Sequence, residues 1–338
     1  MSVTQKKIAE KAGVSYATVS RAFTKNASVH PDTMTKIKAA MSELGIENPS
    51  HTLSVPAAAR HVLVIVPDIS DVFHADTVKG ICDRLYKENM LATLCNSNYD
   101  DFQIVKTHLD HAVNNYFSGV IMLSVIANPP LIKLLKNYPI PVILVNRFIR
   151  TLDMDVVCID NYRGGYMAAS CLIENGHQKI AYLSGNRLST AHQDRLRGFS
   201  DAMADAGLSL SPEHIFYAKD NSRSSGKEFV KHFFSENNNF TALFTSSNPT
   251  AAGALTQLLD LGYSVPQDVS IVCFDDTSLI NDGKIKLTTV GYDPYQLGVA
   301  AVNSLLTRIE QPASEKIKVV YSPHLTMRNS IRDLSDTR

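Results

Sequence analysis

The sequence predicts a small all-α head followed by a much larger α/β body built on parallel sheets and divided into two lobes. Three observations carry this reading. Residues 1–47 read as three short amphipathic helices, and residues from 62 onward alternate wholly apolar runs with amphipathic stretches. Between them lies a segment rich in Pro, Ser and His that fits neither pattern. At 338 residues the chain exceeds the roughly 100–200 residues of one domain. Its 44% hydrophobic and 20% charged content is that of a chain that buries a core.

Several classes drop out on composition. The longest apolar runs, such as VLVIV at 62–66, fall far short of the about 20 residues that a membrane span needs. The opening MSVTQKKIAEKAG has basic residues but no apolar run after them, so no secretory signal is expected. Five cysteines (Cys82, Cys95, Cys158, Cys171, Cys273) form no C-x-x-C pair and mostly sit in apolar runs. They read as free thiols in a reducing, cytoplasmic setting.

Charge is unevenly placed although the formal net charge is zero. Residues 1–60 hold eight Lys/Arg against four acids, while the remainder holds 25 against 29. A basic head on an acidic body points to a polyanionic partner for the head alone.

Within the head, the first helix starts near Thr4 as N-cap, with Ile8 and Ala12 on one face, and Gly13 makes the turn after it. Ser15 caps a second helix, YATVSRAF, whose Val19, Ala22 and Phe23 share an apolar face. A third begins near Asp32 or Thr33, carries Met34, Ile37, Met41 and Leu44 inward, and ends at Gly45. Helix, A-G-V-S, helix is the layout of a helix-turn-helix. The short second helix leaves Tyr16, Ala17, Ser20 and Arg21 on its outer side, where they would meet base edges in a major groove. Arg21 suits guanine O6 and N7, worth about 1–3 kcal/mol of discrimination. Thr4, Ser15 and Thr18 suit the phosphate backbone.

The stretch TQKKIAEKAGVSYATVSRAF closely resembles the head of LacI/GalR-type repressors, of which AGVS-x-x-TVSR is the most specific part. The resemblance implies base-reading roles for Tyr16, Ala17 and Arg21 on double-stranded operator DNA. It also implies a hinge helix at about 48–61 that wedges a leucine into the minor groove. Here NPSHTLSVP lacks the family's Ala-Arg pair, Leu53 is the candidate wedge, and Pro56 would cut a helix short. A flexible linker therefore stands beside the hinge helix as an open alternative.

In the body, strand-like runs are VLVIV (62–66), LATLC (91–95), GVIMLS (119–124), PVILVN (141–146), KIAYLS (179–184), TALFT (241–245) and VSIVCF (269–274). Strands apolar throughout and alternating with helices imply parallel sheets covered on both faces. The series divides near residue 160. One lobe is expected from about 62–160 with 294–321, and the other from about 161–293 with 322–338. This resembles the type I periplasmic-binding-protein-like body of LacI/GalR repressors, so the similarity extends from Thr4 to about Asn329.

Ligands of such sheets bind beyond the carboxyl ends of strands. The polar and aromatic residues expected there are Phe73 and His74 after the first strand, Asn146 and Arg147 after PVILV, Arg195 in a loop ending AHQDRLRGF, Asn248 after TALFTSS, and Asp275 after VSIVCF. Arg and Asp hold diols bidentately, and Phe lies against a sugar ring. By the resemblance, Arg195 and Asp275 match the most typical ligand positions. Asn248 stands where the family usually has Asp, and His74 where a second Phe is common.

Enzyme signatures are missing: there is no G-x-x-x-x-G-K-[ST], G-x-G-x-x-G or G-x-S-x-G. Gly164-Gly165 is a lone pair. His108 and His111 are three apart on a helix without a third ligand, so no metal and no cofactor is expected. The expectation is therefore a homodimeric, effector-controlled repressor, since one head reads only a half-site. No leucine heptads close the chain, which argues against a tetramer. The branch that the resemblance favours handles nucleosides, with cytidine first and a pentose sugar next. An activator, an effector-independent regulator and a solute-binding receptor are the alternatives.

Overall fold

The structure is a computed structural model that describes residues 3–22, 29–44, 60–97, 101–126, 128–234, 239–281 and 283–335. Residues 1–58 and 59–338 form two compact units. Leu53 and most of the linker lie outside the described residues.

The first unit holds α1 (Val3–Ala12), α2 (Tyr16–Ala22) and α3 (Pro31–Glu43). Gly13 makes the turn at φ 65°, a conformation that Cβ disfavours. The Ser15 hydroxyl accepts the Thr18 N–H at 3.1 Å and so starts α2. Ile8, Ala9, Val19, Ile37 and Met41 make the core, with Ala12, Val14 and Ala22 against it. Two details differ from the sequence reading. Helix α1 begins at Val3, so Thr4 lies in its first turn instead of capping it. Leu44 is exposed and ends α3, and Ala40 takes the inward position.

The second unit contains two six-stranded sheets. The first sheet comprises β1 (Arg60–Val66), β2 (Met90–Asn96), β3 (Gly119–Leu123), β4 (Val142–Val145), β5 (Asp155–Ile159) and the late strand β11 (Lys318–Tyr321). Its order is β11-β5-β4-β3-β1-β2, parallel throughout. The second comprises β6 (Ile180–Ser184), β7 (Ile215–Tyr217), β8 (Ala242–Thr245), β9 (Ser270–Phe274), β10 (Thr288–Gly291) and β12 (His324–Thr326). Its order is β12-β10-β9-β8-β6-β7, with only β12 antiparallel.

Helices α4 (Val72–Tyr86), α5 (Phe102–Asn114), α6 (Pro129–Leu135) and α11 (Pro294–Glu310) belong with the first sheet. Helices α7 (Asn161–Glu174), α8 (Thr190–Asp205), α9 (Arg223–Phe234) and α10 (Asn248–Asp260) belong with the second. Central strands β1, β3, β4, β5, β6, β8 and β9 are buried over most or all of their length, as two covered faces require.

Gly164-Gly165 proves to be packing, not a phosphate cradle. A Cβ on Gly165 would stand 2.0 Å from the Arg195 carbonyl oxygen, and one on Gly198 would stand 1.9 Å from that of Tyr162. Helices α7 and α8 thus cross backbone to backbone, which seats Arg195 at a fixed depth. The same exchange of glycines joins α4 to α11 (Gly80, Gly298) and α9 to α10 (Gly226, Gly253).

The chain passes between the sheets three times, after β5, after β10 and after β11. The passages lie side by side. The Asp160 N–H donates to the Tyr321 carbonyl at 2.9 Å, and Tyr292 stacks on Tyr321 at 4.4 Å between centroids.

Candidate functional site

Three strands of the body end in the same unusual way. Ser124 after β3, Asn146 after β4 and Asp275 after β9 have φ of 49°, 70° and 69°. Non-glycine residues rarely hold this left-handed conformation, and sites that do tend to be functional. All three line one cleft between the lobes.

The same cleft gathers every effector residue expected from the sequence: Phe73, His74, Asn146, Arg147, Arg195, Asn248 and Asp275. Asp71, Ser124, His192, Asn221, Ser246 and Ser247 also line it, and the sequence reading had not named Ser124, His192, Asn221, Ser246 or Ser247. The one signal for Ser124, Ser246 and Ser247 was position after an apolar strand, and His192, inside α8, had none.

On the first lobe, Asp71 caps α4 through the Phe73 N–H. Phe73 is buried and meets His74 edge-on. His74 Nδ1 lies 2.9 Å from the Asp68 carbonyl and Nε2 lies 3.1 Å from Ser124 Oγ. Asn146 Nδ2 donates to the same Oγ at 3.0 Å, and Arg147 donates to the Ser124 carbonyl at 2.7 Å. Burial, opposed by Asp71, holds the His74 imidazole below its ordinary range.

The second lobe contributes Arg195 from α8, which is a helix where the sequence had read a loop. Arg195 donates from Nε to Asn161 Oδ1 at 2.8 Å and from Nη1 to the Ser246 carbonyl at 2.6 Å. Its guanidinium lies 3.5 Å over the Phe274 ring. Asp275 Oδ1 stands 4.0 Å from Arg195 Nη2, too far for a hydrogen bond. Burial pushes the Asp275 carboxyl up to about 6, with Arg195 pulling the other way. His192 lies against Gly185, and burial followed by Arg147 and Arg195 keeps it neutral, well below its usual range.

Asn248 borders the cleft but spends its side chain on the protein. It donates to the carbonyls of Phe274 and Asp275 at 2.8 Å each and accepts from the Thr277 hydroxyl. It therefore holds Asp275 in place.

Two buried acceptors of the cleft, Asn146 Oδ1 and Asp275 Oδ1, and the ring nitrogen Nδ1 of His192 have no hydrogen-bond partner. Leaving such groups unmade costs about 1–3 kcal/mol each. At its mouth the lobes touch directly. Arg150 pairs with Asp194 at 2.9 Å, and the Thr190 hydroxyl donates to the Phe148 carbonyl at 3.3 Å.

In the head, Ser15 just before α2 and Tyr16 and Ala17 at its start are exposed, and Thr18 is half-buried with its hydroxyl 2.8 Å from that of Ser15. Ser20 and Arg21 lie in α2, and Thr4 in α1; their side chains are outside the description. Among the described residues no cluster of three His, Cys, Asp or Glu side chains could hold a metal ion, and no helix is long and apolar enough to cross a membrane. All five cysteines are free.

A helix-turn-helix head and a two-lobed body with a polar cleft define a DNA-binding transcription regulator with an effector-binding domain. Residues 4–46 match the bacterial regulatory proteins of the lacI family, and residues 169–331 match the periplasmic binding protein-like domain. The chain is 30% identical over 329 residues to catabolite control protein A of Priestia megaterium, covering 96% of this chain and 97% of that one. It belongs to the LacI family of transcription regulators. Among solved structures it is similar to the regulator CelR in complex with cellobiose (TM-score 0.74, 26% identity, 97% and 100% coverage). A LacI family regulator from Enterococcus faecium with bound ribose gives a TM-score of 0.72 and 26% identity, over 82% of this chain and all of that one.

Proposed function

We propose that this chain is a transcription repressor that binds operator DNA as a homodimer and changes its grip when a ribose-bearing molecule enters the interlobe cleft. One observation carries the reading of the effector: buried, unpartnered polar atoms of Asn146, His192 and Asp275, from both lobes, line the space that Arg195 and Phe73 border. A neutral polyol answers those atoms with hydroxyl donors and can accept from Arg195 through its oxygens. A ribose-bound relative supports the pentose, and the ribose ring is what a free pentose shares with a nucleoside such as cytidine. In this reading Asn146, His192 and Asp275 accept from the effector and Arg195 donates.

On DNA, Tyr16, Ala17 and Arg21 read bases with Ser20 beside them in the major groove, while Thr4, Ser15 and Thr18 hold the backbone, and Leu53 enters the minor groove if the linker becomes helical. The effector shifts an equilibrium between lobe arrangements. A hundredfold change in operator affinity requires about 2.7 kcal/mol of preference for one arrangement. The test is selection of the purified protein on random duplex DNA with and without ribose, cytidine or cellobiose. Enrichment of an inverted repeat that ribose or cytidine alters supports the reading. A repeat altered by cellobiose alone removes the ribose, and no enrichment removes operator binding by the chain on its own.

A further inference from the structure

Resting on the reading of the cleft as an effector site, we propose that His74 is a positioning residue for specificity: through Ser124 it orients the Asn146 amide so that its carbonyl, not its NH2, faces the cleft. The position opposite Asn146 is then committed to a hydroxyl or amine of the effector and closed to a carbonyl, carboxylate or phosphate oxygen.

The hydrogens along this chain of contacts can be placed one at a time. His74 Nδ1 faces the Asp68 carbonyl, which can only accept, so Nδ1 carries hydrogen. His74 is buried and kept neutral, so Nε2 is a bare acceptor, and its partner is the Ser124 hydroxyl. That hydroxyl has one hydrogen and gives it to Nε2. Ser124 Oγ can then only accept from Asn146, which must present Nδ2 to it and turn Oδ1 toward the cleft. Asn146 Oδ1 is the atom left without a partner, as this chain of donors demands. The left-handed backbone of both Ser124 and Asn146 brings the two side chains together. Aromatic carbon at position 74 would break the chain: Ser124 would be free to donate to Asn146, and the amide would be free to turn over.

The test uses the full chain in two measurements. In 15N-histidine-labelled protein without added effector, the His74 signals, assigned by their loss in His74→Gln, are expected to show protonated Nδ1 and bare Nε2 at pH 7. Ser124→Ala should move the Nε2 signal and leave Nδ1 in place. An Nε2–H tautomer or an imidazolium overturns the proposal.

The second measurement is calorimetric titration with D-ribose and its 2-, 3- and 5-deoxy forms. Wild type is expected to bind one deoxy form at least about tenfold more weakly than ribose, the loss of one hydrogen bond to a buried acceptor. His74→Gln, whose amide oxygen can take the Ser124 hydrogen, should keep that ratio. His74→Phe should shrink it to within about twofold. An unchanged ratio in a folded His74→Phe overturns the proposal. If wild type binds none of the four, the pentose reading of the cleft fails, and the nitrogen spectrum alone decides the relay.

Discussion

Replacing Asp275 by Asn should stabilise the protein without effector, because this site residue is held ionised against its surroundings. Its carboxyl is pushed from 3.8 up to about 6 by burial, and Arg195, 4.0 Å away, offsets this only in part. At roughly 1.4 kcal/mol per tenfold, that difference makes the ionised form about 3 kcal/mol costlier in the folded chain than in the unfolded one. The native state takes up the extra proton between the two values. Stability is therefore full below the unfolded value of 3.8, falls as pH rises toward about 6, and stays low above it. Asparagine mimics the neutral acid and tolerates the φ of 69° at this position. The chain has no tryptophan, so urea unfolding is followed by far-ultraviolet circular dichroism at pH 5 and pH 8. Asp275→Asn should exceed wild type by about 2–3 kcal/mol at pH 8, with a smaller margin at pH 5. A variant no more stable than wild type at pH 8, with a margin independent of pH, would refute the reasoning.

Other substitutions address different links. Arg308 forms a two-bond pair with Asp155, which is only 2% exposed, and caps four carbonyls between Gln311 and Glu315. Arg308→Met should cost about 3–5 kcal/mol in urea unfolding, and adding Asp155→Leu should recover part of it; strictly additive losses would deny the coupling. Gly185→Ala would put a Cβ 1.9 Å from His192 Cε1, so effector response in an operator-binding assay should weaken at least about tenfold. A normal response would place His192 outside the effector's reach. Arg21→Ala should lose about 1–3 kcal/mol of preference for operator over random duplex in gel-shift titrations, and an unaltered preference would remove Arg21 from base reading.

What the sequence made legible followed from burial pattern. Strands such as VLVIV and VSIVCF are apolar at nearly every position because both sheet faces are covered, so they stood out. β5 did not, because DVVCI begins with a charged residue whose burial is satisfied by Arg308, 153 positions away. β10 hides in TTVG for a similar reason: buried threonines bond the C-terminal segment through Arg328. Helix α8 looked like a loop since Gln193, Asp194, Arg195 and Arg197 obscure its apolar face, yet Arg195 is buried by design of the site. The strand-end logic found Asn146 and Asp275, whereas Ser124 and His192 carry ordinary chemistry until neighbours fix their protons. Asn248 was legible as a cleft residue, but its use as a brace for Asp275 depends on carbonyl positions that no residue pattern encodes.

The three passages between the lobes limit what a bound molecule can report. One tether would leave the lobes free to swivel, slide and tilt. Three adjacent tethers, tied by the Asp160–Tyr321 hydrogen bond and the Tyr292–Tyr321 stack, resist swivel and sliding more than tilt. On the function proposed above, contacts to Asn146 on one lobe and to Asp275 on the other would both be read through that tilt. Molecules of different chemistry that set the same opening angle are, outside the cleft, the same message.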